Sequence, residues 1–470
     1  MSDLQQYNRR QNFLKDLRSA ILGKEKTFTS GSINRAIFML SVPIILEMLM
    51  ESLFAVVDVF YVSRLGVDAI TTVGLTEAVI MIVYSLGVGL SMGVTAMVSR
   101  RIGEKKKERA ADAAAQGIYI AIAMSIVLGI LGALFARDLL EIMGASEEVV
   151  ETGYGFTTIL LGGNISIMLL FVHNAILRGA GDASIAMRAL WIANGLNLIL
   201  DPLFIFGLGP FEGMGVMGAA VATTIGRSVG VLYQVFMLSN GKAIIRIARE
   251  NLIVQWRILR RILEVSSGGV AQYLIGSASW IFLVRIISIF GSEAVAGYTI
   301  SIRVIFFTIL PAWGIANAAS ILVGQNLGAK QPDRAEKSAW KCAIYNVIFL
   351  FVISVVFFLG AEFVVRIFSK ETEVIRNGVI ALRYIMAGYI IYAYGMVISQ
   401  AFNGAGDTRT PTIINIFSYW LLQIPLAYLL AVNSPFEIKG VYIAILISEL
   451  FLALIAIYIF RKGKWKTVKI

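Results

Sequence analysis

Along the chain, long apolar blocks alternate with short polar intervals. The blocks cover residues 37–62, 70–98, 112–136, 153–177, 189–208, 214–239, 263–289, 295–323, 342–365, 377–402, 411–432 and 438–460. Each is near the roughly 20 residues a helix needs to cross the hydrocarbon core, and far longer than the about 9–11 of a barrel strand. The pattern predicts an all-α polytopic membrane protein with twelve transmembrane helices. The polar stretches divide it into a tail at 1–36, an N-lobe of six helices at 37–239, a basic linker at 240–261, a C-lobe of six helices at 262–460 and a basic tail at 461–470. The linker, rich in arginine, is expected to lie on the membrane surface.

Composition narrows the function. Of 470 residues, 58% are hydrophobic and 15% charged, against about 25% charged in soluble domains, and mean hydropathy is +0.78. No large soluble domain fits. The net charge of +11 would suit nucleic acid, but 31 of the 41 lysines and arginines fall in the N-tail, the loops after even-numbered spans and the C-tail. That asymmetry is the positive-inside signature, so both termini are expected in the cytoplasm and no nucleic-acid partner is needed. Residues Met1 to Thr29 are polar and mixed in charge, unlike a cleaved signal. A single cysteine, Cys342, and a single histidine, His173, exclude a disulfide framework and sites built from several thiolates or imidazoles. His173 reads as a packed side chain. No Walker lysine motif and no Ser/His/Asp or Cys/His grouping is present, so neither ATP-driven transport nor hydrolysis is expected, and no cofactor is implied.

The chain repeats itself at an offset of 225. That shift carries Leu65-Gly66-Val67-Asp68-Ala69 onto Phe290-Gly291-Ser292-Glu293-Ala294, Gly103 onto Gly328, Lys105 onto Lys330, and Arg109-Ala110 onto Arg334-Ala335. It also superimposes Gly179-Ala180-Gly181-Asp182 on Gly404-Ala405-Gly406-Asp407. Two six-span halves of the same orientation, related by an axis along the membrane normal, are the design of transporters that bind substrate between their halves. The acids have diverged: Glu47, Glu51, Asp58 and Asp201 face Gln272, Gly276, Leu283 and Leu426 at the same offset.

Charge deep in a bilayer costs at least about 2.5–3.5 kcal/mol per group, so the surviving acids require a purpose. Glu47, Glu51 and Asp58 fall on one helical face over about 16 Å. Such a stripe either faces a wet interior or forms a hydrogen-bonding network that locks helices together. In the fifth span, Asn197 and Asp201 stand one turn apart before Pro202, and Thr223 and Thr224 follow in the sixth. Oxygens of these types suit a hard cation or a proton. Glu47, Glu51, Gln272 and Tyr273 are candidates for cavity lining, among Met and aromatic positions that would accept flat or cationic ligands.

With these motifs in order, the chain resembles the multidrug and toxic compound extrusion (MATE) family. The matching residues are Pro43, Val57-Asp58, Leu65-Gly66, Gly103, Arg109, Leu177-Arg178-Gly179-Ala180-Gly181-Asp182, Asn197, Asp201-Pro202 and Gly218-Ala219-Ala220-Val221-Ala222-Thr223. In the second half they are Gln400-Ala401-Phe402-Asn403-Gly404-Ala405-Gly406-Asp407-Thr408 and Pro411. The resemblance spans about residues 35–460. It implies a V-shaped pair of six-helix bundles in the cell (inner or plasma) membrane, a monomer that exports small amphipathic, cationic compounds in exchange for Na⁺ or H⁺. It also implies that Asp58, Asn197, Asp201 and Thr223 bind the coupling cation. The Thr223 match treats Pro210–Gly213 as an inserted loop. Family members that use acids in the seventh and tenth helices have no counterpart here, because Glu264 lies at the very start of the seventh span. Two other functions are weighed. A lipid-linked oligosaccharide flippase would need a basic cavity, and only Arg227, Arg285, Arg303 and Arg383 lie within spans. A membrane-embedded enzyme or receptor lacks catalytic groupings and has little use for the duplication.

Overall fold

The computed structural model describes residues 14–25, 27–208 and 211–470. Twelve of its helices are long and apolar enough to cross a membrane: α1 Ile33–Ser63, α2 Val67–Gly103, α3 Lys107–Leu134, α4 Glu147–Ala180, α5 Ala183–Phe206, α6 Val216–Ser239, α7 Trp256–Phe290, α8 Ser292–Gly328, α9 Pro332–Leu359, α10 Thr372–Ala405, α11 Arg409–Val432 and α12 Ile438–Arg461. Every apolar block has its helix. All of them but α6 overrun their blocks at one end or both, because a helix does not stop where apolarity stops. Nothing in Trp256-Arg257-Ile258-Leu259-Arg260-Arg261 breaks a helix, so α7 starts seven residues before its block. The stretch between α6 and α7 is correspondingly short, with one turn of 3₁₀ helix at Arg249–Leu252.

Local features recur at the repeat offset. Short helices Ala136–Ile142 and Ala361–Phe368 follow α3 and α9. Lys105 and Lys330 both take left-handed backbone, at φ 60° and 59°, a conformation that costs a side-chain-bearing residue about 1 kcal/mol or more. Between α5 and α6, Gly207–Leu208 pairs antiparallel with Phe211–Glu212. Pro43, Pro202 and Pro311 lie inside α1, α5 and α8. In α11, Ile416–Gln423 widens to π-helical turns just before Pro425.

Helices α1, α2, α7 and α8 form the seam between the first six helices and the last six: α1 packs on α8, and α2 packs on α7 and α8. Small residues set the approach in the half nearest the termini. A Cβ on Gly103 would sit 1.9 Å from the Gln325 carbonyl oxygen, and one on Gly324 equally close to the Ser99 hydroxyl. The C-terminal tail closes this face. Trp465 is buried and stacks on Phe460 at 4.5 Å. Arg100 donates to the carbonyls of Ala405 and Val468 at 3.2 and 3.0 Å, and Arg101 to that of Ile470 at 2.8 Å. In the other half the seam loosens: Glu77 of α2 and Arg303 of α8 sense each other electrostatically, yet both remain exposed.

Candidate functional site

The polar cluster of the first six helices forms where α5 and α6 press together. Gly226 and Gly230 of α6 face the backbone of α5: a Cβ at Gly226 would lie 2.7 Å from the Ala193 carbonyl and 3.2 Å from Asn197 Cβ. Close packing of this kind brings side chains of neighbouring helices within hydrogen-bonding range. The Asn197 amide nitrogen donates both to Asp201 Oδ1 and to Thr223 Oγ1, each at 3.1 Å. Asp201, Asn197 and Thr223 are all buried. Pro202 cannot donate to the carbonyl one turn earlier, which leaves that oxygen without its usual helical donor.

Asp58 of α1 completes the group and lies within electrostatic reach of Asp201. Asp58 Oδ1, Asn197 Oδ1 and Asp201 Oδ2 are buried and find no hydrogen-bond donor among the described residues. These are three buried acceptors without a donor. One buried guanidinium stands near: Arg227 of α6 donates to the Tyr84 hydroxyl at 3.3 Å and interacts electrostatically with Glu51 and Asp58. Glu51 accepts from the Asn194 amide at 3.0 Å. Glu51 and Asp58 thus share a single arginine, and Asp201 is neighboured by the Asp58 carboxylate and the Asn197 amide, leaving the ionised cluster short of positive charge.

The four residues expected to bind the cation therefore fall in one region, with Asn197 touching two of the others. The acids of α1 do not share one environment. Glu47 is fully buried. It pairs with Arg178 and accepts from the Asn174 amide at 3.0 Å, while Asn174 accepts from Gln234 at 2.6 Å. Gln272 is buried too, in a reciprocal amide pair with Asn403 at 3.0 and 3.2 Å, and it donates to the Thr408 carbonyl at 3.0 Å. Both side chains are helix locks, because each meets a polar partner near the end of the fourth or tenth helix. Tyr273 is half-buried at the seam, its hydroxyl 3.3 Å from Met81 Sδ. The sequence reading missed Glu77, Asn194 and the placement of Arg227. Glu77 had a signal, as an acid within the apolar block 70–98; Asn194 and Arg227 had none, since their partners lie on other helices.

A family model described as MatE matches residues 43–203 and again 270–429. The chain belongs to the MatE family. The two matches divide as the sequence repeat does, and the first contains Asp58, Asn197 and Asp201. Among MatE relatives, the chain is 27% identical to a probable multidrug resistance protein NorM of Thermotoga maritima over 92% of this chain and 93% of that one. It is 24% identical to a protein of Shewanella oneidensis named as an FAD transporter, over 92% and 95%. A crystal structure of a MATE protein in complex with MaL6 superposes with a TM-score of 0.88 at 28% identity, covering 94% of this chain and 99% of that one. As a MatE protein, the chain is a multi-pass transporter of the plasma membrane.

Proposed function

We propose that this transporter is a cation-coupled antiporter that exports small amphipathic, cationic compounds by alternating access, with Asp58, Asn197, Asp201 and Thr223 holding the coupling Na⁺ or H⁺. The observation that carries this reading is the set of three buried, donorless oxygens on Asp58, Asn197 and Asp201. An oxygen-only donor set suits either ion. A cation or proton there supplies the charge that Arg227 alone does not. Binding draws α1 toward α5 and α6, and loss of the ion lets α1 move, which gives each state a different affinity for cargo. The distribution of lysine and arginine supports termini in the cytoplasm. On that topology the tightly packed half of the seam is the inner gate and the loosened half opens outward. Arg227 is engaged by Tyr84 and the acids, which weighs against a basic cavity for a lipid-linked pyrophosphate.

The test is efflux of a fluorescent organic cation from proteoliposomes with Na⁺ and pH gradients imposed separately. One gradient should drive efflux, and Asp58→Asn should abolish that dependence. Efflux at the wild-type rate by Asp58→Asn, or efflux indifferent to both gradients, overturns the proposal.

A further inference from the structure

On the face nearest the termini lies a cavity of about 1010 Å³, bounded by the ends of α2 and α3, the start of α7 and the C-terminal tail. Six basic side chains line it: Arg101, Arg109, Arg257, Arg260, Arg261 and Lys469, against the acids Asp112 and Glu264. The acids are already engaged. Glu264 pairs with Arg260 at 3.2 Å and Arg261 at 2.8 Å, Asp112 accepts from Asn251 at 2.8 Å, and Arg101 is held by Glu104 at 2.9 Å. Arg109 and Arg257 have no ion pair among the described residues, and both are exposed. Concentrated, incompletely neutralised guanidinium groups of this kind recognise phosphate.

The flank of the cavity decides what carries the phosphate. Leu252, Ile253, Val254 and Trp256 present exposed apolar side chains, Trp256 at 79% exposure. Their backbone is fixed to α3: the Tyr119 hydroxyl donates to the Leu252 carbonyl at 2.6 Å, and Gln116 bonds both the Ile253 carbonyl and the Gln255 amide at 3.0 Å. Gln116 and Tyr119 lie about 14–18 Å along α3 from Lys107, well into its apolar stretch. The apolar side chains are therefore held at hydrocarbon depth, directly beside a basic cavity at headgroup depth. A soluble anion would make no use of that flank; a lipid uses both.

We propose that this cavity is a binding site for the headgroup of an anionic phospholipid, whose acyl chains lie over Leu252–Trp256. Arg101 and Arg109 belong to the first six helices and Arg257, Arg260 and Arg261 to the last six. One headgroup spans both sets and holds this face of the seam shut.

The experiment uses the full chain purified in detergent and titrated with phosphatidylglycerol, phosphatidylcholine or inorganic phosphate. Melting temperature and lipid retained in native mass spectrometry are the readouts. Phosphatidylglycerol should raise the melting temperature and be retained, with phosphatidylcholine and phosphate inert. Arg109→Gln with Arg257→Gln should weaken phosphatidylglycerol retention about thirtyfold, from about fivefold per basic group. The control Arg366→Gln, on the opposite face, should retain it. The melting temperature of the double variant in phosphatidylcholine shows whether it is folded. Equal effects of the two lipids, undiminished retention by the folded double variant, or full stabilisation by inorganic phosphate alone each overturn the assignment.

Discussion

At the residue scale, Asn197 holds the candidate site together, because one amide nitrogen serves oxygens on two helices. Replacing Asn197 with Leu keeps the volume but unties Asp201 from Thr223. Ion-driven efflux is expected to fall about tenfold or more, with a stability loss of about 1–3 kcal/mol from the unpartnered oxygens, measured in proteoliposomes and by thermal denaturation. Glu47 acts on stability through charge. Glu47→Gln leaves the Arg178 guanidinium, mostly buried, without its counter-charge and should cost about 3 kcal/mol of stability. Adding Arg178→Asn recreates the amide pair seen at Gln272 and Asn403 and should restore most of the loss. If the double variant melts no higher than Glu47→Gln alone, the two pairs are not equivalent. The contrast explains what sequence could show at this scale. The i, i+4 spacing of Asn197 and Asp201 is local and legible. Whether an acid at a given depth meets Arg178 or Asp201 depends on a different helix, and no spacing within α1 encodes it.

At the element scale, apolar block length located every transmembrane helix, because the hydrocarbon thickness is a constraint the sequence must satisfy. It located their ends poorly. Helix continues into water wherever good helix formers continue, as at Trp256–Arg261 before the apolar part of α7. The interruption of α4 at Gly163 and the π-helical turns of α11 also lay outside a reading by hydropathy. Glycine approach is the feature of these helices with the clearest consequence. Gly103→Ala places a methyl against the Gln325 carbonyl and must push α2 from α8. Overpacking of this kind costs about 1–3 kcal/mol, applied here only in the conformation where the two helices touch. The variant should shift population toward the alternative conformation by roughly fivefold to more than a hundredfold. Electron–electron distances between spin labels on the α2 and α8 ends measure that shift, and an unchanged distribution would mean this contact does not gate.

At the scale of the whole molecule, labels at the exposed positions Val67 and Ile289, at the far ends of α2 and α7, report the opposite face. Alternating access predicts that their separation shortens in the same conditions that lengthen distances across the termini. Parallel lengthening at both faces would contradict it. Acid need not confuse that measurement. Partial burial works against the Glu104 charge, but hydrogen bonds from Lys106 and Arg101 prevail and hold its carboxyl below the ordinary 4.5. A lowered carboxylate stabilises the fold above its unfolded value, and that contribution is lost only as pH falls through the lower folded value. The Glu104 cluster should thus stay intact from pH 7 to 5, checked by melting temperature of Glu104→Gln against the parent across that range. Any conformational response in this window originates elsewhere.

The two helix locks carry a historical consequence. Glu47 with Arg178 and Gln272 with Asn403 stand 225 residues apart, pair for pair. On a common ancestry of the halves, two codons separate one lock from the other. A Gln opposite Arg strands a cation, and a Glu opposite Asn strands an anion. The stranded carboxylate alone can escape by taking up a proton. The cheaper ancestral path between the locks therefore runs through a protonated glutamate facing asparagine, and a reconstructed intermediate of that composition should tolerate acid better than neutral conditions.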